Sequence, residues 1–422
     1  MFMGNVYLKR VVDRSIDERL GSSGAILIEG AKWCGKTRTA QEKAASTLSM
    51  QNPDEKAMNL RLASNKPSLL LEGETPRLID EWQVAPVLWD AVRFTVDKRG
   101  MPGQFILTGS SVPQDDDTRH SGTGRISRVL MRPMSLFESQ ESNGSVPLSG
   151  LFGSSSDVGA VSDMSLEQLT YALVRGGWPD SLGSTEKTAI RKMQDYVESI
   201  INVDISKVDN IKRNPDTVYA LLRSLSRNVS ATVAMSTICK DMRGDDDSIS
   251  EKTISEYINA LRRLFIVEDL PAWNPSLRSK TAVRTSPKRH FVDPSIAVAV
   301  MEASSKDLLR DLNTFGLLFE SMCIRDLRVY AQALNGSVYH FRDKNGLEAD
   351  AIIRLRDGRW AAVEVKLGDE IDKGAKNLLK LKDNIDTDHL CAPSFLMVMT
   401  ATGYAYQRED GVVVVPIGCL RD

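Results

Sequence analysis

The sequence has few of the features on which secreted, zinc-stapled or membrane-spanning proteins depend. Its five cysteines are scattered along 422 residues, are odd in number and include no Cys-x-x-Cys pair. This spacing predicts neither a disulfide framework nor a structural zinc site, and it favours a reduced, cytoplasmic compartment. The longest apolar stretches, such as "GVVVVPIG" at 411–418, are far shorter than the roughly 20 residues that span a bilayer. We therefore expect no membrane partner.

The chain also lacks an excess of charge of either sign. Its 54 basic and 56 acidic residues give a formal net charge of -2, so nothing draws the whole molecule toward nucleic acid. A local basic surface can still bind DNA, because binding footprints are patches. The opening "MFMGNVYLKRVVD" carries charges early and has no apolar core, so we expect no signal peptide. Length and composition predict about two to four ordinary globular domains.

Three segments with different patterns follow one another. Residues 1–138 alternate short apolar runs with helical stretches, which suits a parallel sheet buried on both faces. Residues 139–164 are rich in Ser, Gly and Asp and indicate a flexible linker. Residues 165–287 have helical periodicity, and residues 288–422 return to an α/β pattern. The strands expected in the first segment are 25–30, 56–63, 76–81, 104–110 and 127–134.

The middle segment contains a particular order of elements. A helix ends at "SRNVS", the short helix "VAMSTICKDM" follows, and "SISEKTISEYINALRRLFIVEDLPAW" supplies a capped helix that runs into a strand. This order is typical of a winged helix-turn-helix, with residues 252–264 as the recognition helix. The alternative is a helical lid that only packs on the first segment.

A phosphate-binding loop is predicted at "GAKWCGKT", which fits Gly-x-x-x-x-Gly-Lys-[Ser/Thr] between an apolar strand and a helix. Gly30 and Gly35 let backbone N–H groups surround phosphate oxygens at the positive end of the helix. Lys36 can reach the terminal phosphates, and the Thr37 hydroxyl can bind Mg²⁺. The expected ATP-binding residues of this loop are Gly30, Ala31, Lys32, Trp33, Cys34, Gly35, Lys36 and Thr37.

A second half of the nucleotide site is predicted in "PRLIDEWQ" and "FILTGSS". Asp80 follows a buried strand, where a carboxylate can hold magnesium, and Glu81 is placed to activate the attacking water. Thr108 or Ser110 can sense the γ-phosphate, and Ser110 is our preference. The sequence thus predicts an ATP hydrolase that uses Mg²⁺.

An arginine finger is a further expectation. The stretch "GTGRISRVLMRP" places Arg125, Arg128 and Arg132 after a glycine-containing loop. One of them, with Arg125 as our choice, can act on the nucleotide in its own chain or across a subunit boundary. The alternative is a solvated basic turn.

The run "YLKRVVD…ILIEGAKWCGKT…PRLIDEWQ…FILTGSS…GR…PMSLFE" resembles a prokaryotic family of AAA-type ATPases. Members of that family carry a C-terminal domain of unknown function with a restriction-endonuclease-like core. "VRGGWPDSL" and "LSRNVS…TISEYINALRRLFIVEDLPAW" are similar to the same family. The resemblance covers nearly the whole chain and implies an additional-strand ATPase core, a winged-helix region and a nuclease-like end. AAA-type ATPases often form rings, but one sequence shows no interface, so self-association stays open.

Four C-terminal residues match a nuclease pattern of the PD-(D/E)XK type in order and in predicted element. Glu320 lies on a helix, Asp350 lies on a hairpin strand, and Glu364 and Lys366 lie on the next strand in "WAAVEVKLGD". Asp350 and Glu364 are expected to bind Mg²⁺ or Mn²⁺, and Lys366 to orient a metal-bound water. Glu320 can hold a second ion or a water. Glu348 shares a strand face with Asp350 and is the alternative acid.

Glu-x-Lys alone is a weak signal, since a chain of this composition contains about one by chance. The non-catalytic interpretation of Glu364 and Lys366 is a cross-strand ion pair on an exposed sheet face. The full set of acids favours an ATP-regulated DNA nuclease with metal-dependent deoxyribonuclease activity. The alternative is a nucleotide-driven switch that binds DNA or a partner protein without cutting.

Overall fold

The apolar runs of the first segment pair into a parallel sheet. The computed structural model describes residues 6–110, 122–153, 158–243, 250–275, 286–368, 370–385 and 390–422. The strands of this sheet are β1 (Ala25–Glu29), β2 (Ser46–Ser49), β3 (Arg77–Asp80), β4 (Phe105–Gly109) and β5 (Ile126–Leu130). They lie in the order β2-β3-β4-β1-β5, and all pairs are parallel. β4 lies between β1 and β3, which is the additional-strand order.

Helices cover both faces of this sheet, as a strand buried on both sides requires. They are α1 (Val12–Leu20), α2 (Lys36–Lys43), α3 (Lys56–Asn65) and α4 (Val87–Arg99). The predicted strand at 56–63 is wrong, because those residues belong to α3. The run "KAMNLRLA" is composed mainly of good helix formers, and this propensity outweighs its apolar character. The edge strand β2 was not predicted, since "STLS" carries one apolar residue.

The predicted linker at 139–164 is ordered over most of its length. Its elements are β6 (Val146–Pro147), α5 (Leu148–Phe152) and β7 (Ala160–Ser162). β6 pairs with a strand at 420–421, and β7 pairs with a strand at 403–407. Backbone pairing with distant strands thus holds a segment whose composition predicted flexibility.

The middle segment is helical, as the periodicity predicts. Its helices are α6 (Leu166–Arg175), α7 (Glu186–Ser199), α8 (Ile205–Lys207), α9 (Pro215–Arg227), α10 (Met235–Arg243) and α11 (Glu251–Arg263). A π-helical turn, Ile200–Asp204, joins α7 to α8. After α11 the chain makes antiparallel bridges from Val267 to Phe291 and from Leu270 to Lys288.

The strands of the C-terminal segment are β8 (Gly336–Arg342), β9 (Glu348–Leu355), β10 (Trp360–Lys366), β11 (Leu396–Thr400), β12 (Gly403–Gln407), β13 (Val413–Pro416) and β14 (Leu420–Arg421). Together with β7, strands β8 to β13 form a mixed sheet of order β7-β12-β13-β11-β10-β9-β8. The helices of this segment are α12 (Pro294–Val300), α13 (Ser305–Arg310), α14 (Leu312–Ala333) and α15 (Ile371–Asn384). β14 pairs with β6 outside this sheet. Among the described residues, none of the helices combines the length and apolarity that crossing a bilayer requires.

The three segments share one hydrophobic core, which includes Ile26, Leu173 and Phe315. They are also joined by a buried arginine. Arg325 on α14 donates to Asp293 Oδ2 (2.9 Å) and, through Nε, to Asp326 Oδ1 (2.8 Å).

The same two carboxylates bind the other segments. Asp326 accepts the backbone N–H of Leu136, which follows β5, and Asp293 accepts that of Gly177, which follows α6. Arg325, Asp293 and Asp326 are all buried. The segments therefore form one packed unit around this cluster.

Candidate functional site

The phosphate-binding loop has the backbone that its glycines predict. Gly30 has φ +154°, and a Cβ atom there would lie 2.1 Å from the carbonyl oxygen of Met131. Gly35 has φ +100° and precedes the first residue of α2. The Lys36 ammonium is buried and donates to the carbonyls of Gly30 (2.9 Å) and Ala31 (2.7 Å). The lysine is thus held against the loop by acceptors with which phosphate oxygens would compete.

The two predicted magnesium ligands meet at the carboxyl end of the sheet. The Thr37 hydroxyl donates to Asp80 Oδ1 at 2.7 Å, and the Thr108 hydroxyl donates to the same oxygen at 2.7 Å. Hydroxyl and carboxylate oxygens are the ligands that Mg²⁺ prefers. Thr37 and Asp80 therefore fit the ion that accompanies ATP in sites of this type.

The predicted general base is held by neighbours of the same sheet edge. Glu81 has φ +56°, and its backbone N–H donates to Thr108 Oγ1 at 3.2 Å. Its carboxylate accepts Gln83 Nε2 (2.5 Å) and the Ser110 hydroxyl (3.4 Å). Burial raises the pKa of Glu81, while the Lys36 charge opposes that change. A carboxylate with a raised pKa accepts a proton from water more readily.

The tip of the loop contacts the middle segment. Lys32 Nζ lies 2.6 Å from Oδ1 of the buried Asp204, in the π-helical turn. The Trp33 ring packs against the ring of Tyr196 on α7, with centroids 5.3 Å apart. Residues in the variable positions of the loop thus connect the phosphate site to α7 and α8.

Arg10 supports the loop from behind. Its guanidinium donates to the carbonyls of Cys34 (2.9 Å) and Arg132 (2.8 Å) and forms a buried ion pair with Glu138 (3.1 Å). The Arg10 guanidinium therefore connects the phosphate-binding loop, at Cys34, to Arg132, which lies just after β5.

The four predicted nuclease residues gather at one place in the C-terminal segment. Asp350 accepts the backbone N–H of Val365 at 2.9 Å, so β9 and β10 are locked together there. Glu364 accepts Lys366 Nζ (2.8 Å) and Asn377 Nδ2 (2.6 Å), and Asn377 lies on α15. We name Glu320, Asp350, Glu364 and Lys366 the acidic centre. The alternative acid, Glu348, has a half-exposed side chain and lies 4.0 Å from Arg342.

A lysine that was not predicted lies within the acidic centre. Lys288 Nζ donates to Glu320 Oε1 (2.7 Å) and to Asp350 Oδ1 (3.0 Å). Burial raises the pKa of Glu320 to about 8, and burial together with the charge of Asp350 raises that of Glu364 to about 7. Burial alone would raise the pKa of Asp350, but the charges of Lys288 and Lys366 outweigh it and lower that pKa.

The predicted metal site at Asp350 and Glu364 stays a prediction, and a lysine ammonium lies beside Asp350. Within the described ranges, no group of three or more His, Cys, Asp or Glu side chains is placed to hold a metal ion. The Lys288 ammonium occupies the position between Glu320 and Asp350 that a bridging cation would need. The sequence pattern identified the acids but not the cation that neutralises them.

Comparisons with known proteins divide the chain into three matched regions. Residues 22–140 match a family model described as an AAA domain. Residues 166–307 and 315–420 match two domains of unknown function, DUF8612 and DUF4143. Together with the additional-strand order, the loop and the Thr37–Asp80 pair, the first match decides the assignment. Residues 22–140 are therefore similar to AAA domains, and we call them the AAA domain.

Two relatives that match most of this chain are named as uncharacterized proteins. The uncharacterized proteins Mb2031c of Mycobacterium bovis and Rv2008c of Mycobacterium tuberculosis are each 22% identical over 347 residues. These residues cover 81% of this chain and 70% of each relative. They extend the similarity beyond the AAA domain without naming an activity.

Two solved structures are distant matches. The Walker-type ATPase PABY2304 of Pyrococcus abyssi has a TM-score of 0.42 and 15% identity, over 68% of this chain and 94% of that one. The signal transduction ATPase PH0952 of Pyrococcus horikoshii has a TM-score of 0.22 and 13% identity, over 78% and 50%. The assignment of the AAA domain rests on the matched family model and the site geometry.

The predicted arginine finger lies at the wrong edge of the AAA domain for its own nucleotide site. Arg125 precedes β5, and its carbonyl accepts the N–H of Ala25, the first residue of β1. The phosphate-binding loop follows the other end of β1, about 16 Å away at about 3.3 Å per strand residue. The Arg125 side chain instead pairs with Asp97 at 2.8 Å. A role for Arg125 across a subunit boundary stays a prediction.

The other two arginines of that stretch are also engaged. Arg128 pairs with Glu29 at 3.2 Å, and Arg132 pairs with Glu268 of the middle segment at 2.6 Å. Both arginines are held in ion pairs, so neither is an unpaired arginine finger for the nucleotide site of its own chain.

Proposed function

We propose that the chain is an ATPase whose AAA domain acts as a nucleotide-driven switch on a DNA-binding middle and C-terminal part. The contact that carries this proposal is the ion pair between Lys32 and Asp204. It links the phosphate-binding loop directly to the helices that follow the AAA domain. A loop that changes its contacts when phosphate binds would change this pair as well.

Each residue of the AAA site has a distinct task in ATP hydrolysis. Lys36 leaves its loop carbonyls for the terminal phosphates, and the loop N–H groups bind phosphate oxygens. Thr37 and Asp80 would hold a magnesium ion, which would neutralise charge that develops on those oxygens. Glu81 accepts a proton from the attacking water, and Ser110 keeps its carboxylate in place.

The arrangement of α9 to α11 and a row of lysines on α15 both support DNA as the partner. The order of α9, α10 and α11, followed by bridges to residues 288–291, supports a winged helix-turn-helix. On α15, Lys373, Lys376 and Lys380 are exposed at positions three and four apart, so they form one row. Asn377 of the same helix donates to Glu364, so this row borders the acidic centre. A row of ammonium groups suits a phosphate backbone.

A second candidate function is metal-dependent DNA cleavage. The gathering of Glu320, Asp350, Glu364 and Lys366 favours it, because these are the residue types that such hydrolysis uses. Lys288 opposes it in the arrangement described. Cleavage of plasmid DNA with Mn²⁺, compared with the Asp350→Ala/Glu364→Ala variant, tests this candidate. Cleavage that persists in the variant would remove these residues from the assignment.

The switch is tested by measuring ATP hydrolysis and DNA affinity in the same variants. Lys36→Ala should lose ATP binding, and Glu81→Gln should bind ATP but hydrolyse it at least about 100-fold more slowly. Asp204→Asn should still bind ATP, yet its DNA affinity should no longer differ between ADP and a non-hydrolysable ATP analogue. Asp195→Asn is the matched control, since it breaks an exposed pair with Arg191 on α7.

The DNA surface has its own test. Lys376→Ala/Lys380→Ala should weaken DNA binding and lower the slope of log affinity against log salt by about 2, since each lost phosphate contact removes about 0.9. An unchanged slope would place the DNA elsewhere. If Asp204→Asn responds to nucleotide as the wild type does, the loop contact is not the coupling route.

A further inference from the structure

The backbone at Lys288 is hydrogen-bonded to the middle segment, whereas its side chain binds the C-terminal segment. Its backbone N–H and carbonyl pair with Leu270 at 3.0 and 2.9 Å, and the N–H of Arg289 donates to Ala231 at 3.0 Å. These partners flank the helices of the middle segment. Its side chain crosses to Glu320 on α14 and Asp350 on β9. The lysine is therefore inserted into the acidic centre from outside the sheet that forms it.

Charge balance explains why a cation is needed there. Three carboxylates, Glu320, Asp350 and Glu364, lie close together, and their side chains are at most 14% exposed. Buried like charges repel one another and lose their hydration, so they require a compensating cation or a bound proton. Lys366 serves Glu364, and Lys288 serves the other two. Without Lys288, Glu320 would lose the cation that it contacts, and Asp350 would keep only the more distant charge of Lys366.

A lysine and a divalent ion satisfy such acids in different ways. An ammonium donates separate hydrogen bonds, whereas Mg²⁺ or Mn²⁺ needs several oxygen atoms around one point. The two cannot share the space between Glu320 and Asp350, because each would repel the other at that distance. Occupancy by the lysine therefore excludes the metal.

We propose that Lys288 is a built-in cation that closes the acidic centre against divalent metal ions. Withdrawal of its side chain leaves Glu320, Asp350 and Glu364 available to Mg²⁺ or Mn²⁺. The closed centre is an autoinhibited state of the metal-dependent DNA nuclease that is the second candidate function. The biological role of this closure therefore rests on that candidate function. Closure itself depends on the contacts of Lys288 and not on ATP hydrolysis.

The test measures Mn²⁺ binding to nucleotide-free protein by the electron paramagnetic resonance of free Mn²⁺. Lys288→Met should bind one additional Mn²⁺ per chain, at least about tenfold more tightly than the wild type binds it at this centre. Lys288→Met/Asp350→Asn should lose that ion. Lys344→Met, a change of an exposed lysine in the turn between β8 and β9, should behave as the wild type. Binding of a fluorescent ATP analogue confirms that each variant is folded.

A folded Lys288→Met that binds no more Mn²⁺ than the wild type would overturn the proposal. If Lys288→Met does not fold without metal, recovery of ATP-analogue binding on addition of Mn²⁺ supports it. If it does not recover, Lys288→Met/Glu320→Gln removes one freed charge and keeps Asp350 and Glu364. Absence of Mn²⁺ binding in that folded variant overturns the proposal as well. DNA cleavage is not a readout here, so an inactive nuclease would leave the result intact.

Discussion

Replacing Arg325 by methionine should destabilise the whole molecule and not only its C-terminal segment. Methionine keeps much of the buried chain but removes the charge that serves Asp293 and Asp326. Breaking one partner of a buried ion pair costs about 3–5 kcal/mol, because the remaining charges stay buried without compensation. Hydrogen bonds from Leu136 and Gly177 still reach the two carboxylates, so the lower part of this range is expected.

The assay is urea denaturation followed by two signals in parallel. Tryptophan fluorescence reports on the chain as a whole, and binding of a fluorescent ATP analogue reports on the AAA domain. Since the Arg325 cluster joins all three segments, both signals should be lost at a lower urea concentration than in the wild type. Arg14→Met is the control, because Arg14 forms an exposed ion pair with Glu18 on α1, so this variant should keep the wild-type midpoints.

Two outcomes would refute this reasoning. The first is an Arg325→Met midpoint equal to that of the wild type. The second is a variant that loses C-terminal structure while ATP-analogue binding keeps its wild-type midpoint. The second outcome would show that the AAA domain folds independently of the cluster.

Three further predictions concern the two sites. Gly30→Ala places a Cβ atom on a residue with φ +154° and against the carbonyl oxygen of Met131. Such backbone strain costs about 1–3 kcal/mol. Nucleotide affinity, measured by equilibrium titration, should therefore fall by about 5- to 150-fold. Burial raises the pKa of Glu320 from 4.5 to about 8. Between these two pH values the folded chain holds a proton that the unfolded chain has released. The free energy of unfolding should therefore fall as the pH rises from 4.5 to about 8. Glu320→Gln should flatten this fall in thermal melts, and an unchanged slope would contradict it. Arg125→Ala should keep its hydrolysis rate within about twofold in dilute protein, and a larger loss that appears only in concentrated protein would indicate action across a subunit boundary.

The sequence predicted best where a local pattern alone determines geometry. The phosphate-binding loop needs glycine at fixed positions, so its residues and the pairing of Thr37 with Asp80 follow from the spacing. The order of helix, hairpin strand and next strand likewise placed Glu320, Asp350 and Glu364 together. In contrast, the helix at 56–65 was mistaken for a strand because a short apolar run fits both periods.

What could not be predicted depends on contacts between distant parts of the chain. Lys288 lies in a short stretch without periodicity, and its partners Glu320 and Asp350 are 32 and 62 residues away. The orientation of Arg125 required the direction of β5 in the sheet, which no local motif gives. The linker at 139–164 is predicted to be flexible because it is rich in Ser, Gly and Asp, whereas its two short strands gain their order from partners at 403–421.

Those late partners have a consequence for biosynthesis. The Ser142 hydroxyl donates to the carbonyl of Leu420, and β6 has β14 as its neighbour in a two-stranded sheet. A ribosome reaches residue 420 about 270 residues after it has completed β6, which takes about 15 to 50 s at about 5–20 residues per second. Until then the AAA domain leaves the exit tunnel with an unpaired strand at its border. Closure of the molecule therefore follows β6 by a long interval of synthesis, and a nascent chain stalled before β14 would present β6 unpaired to chaperones and proteases.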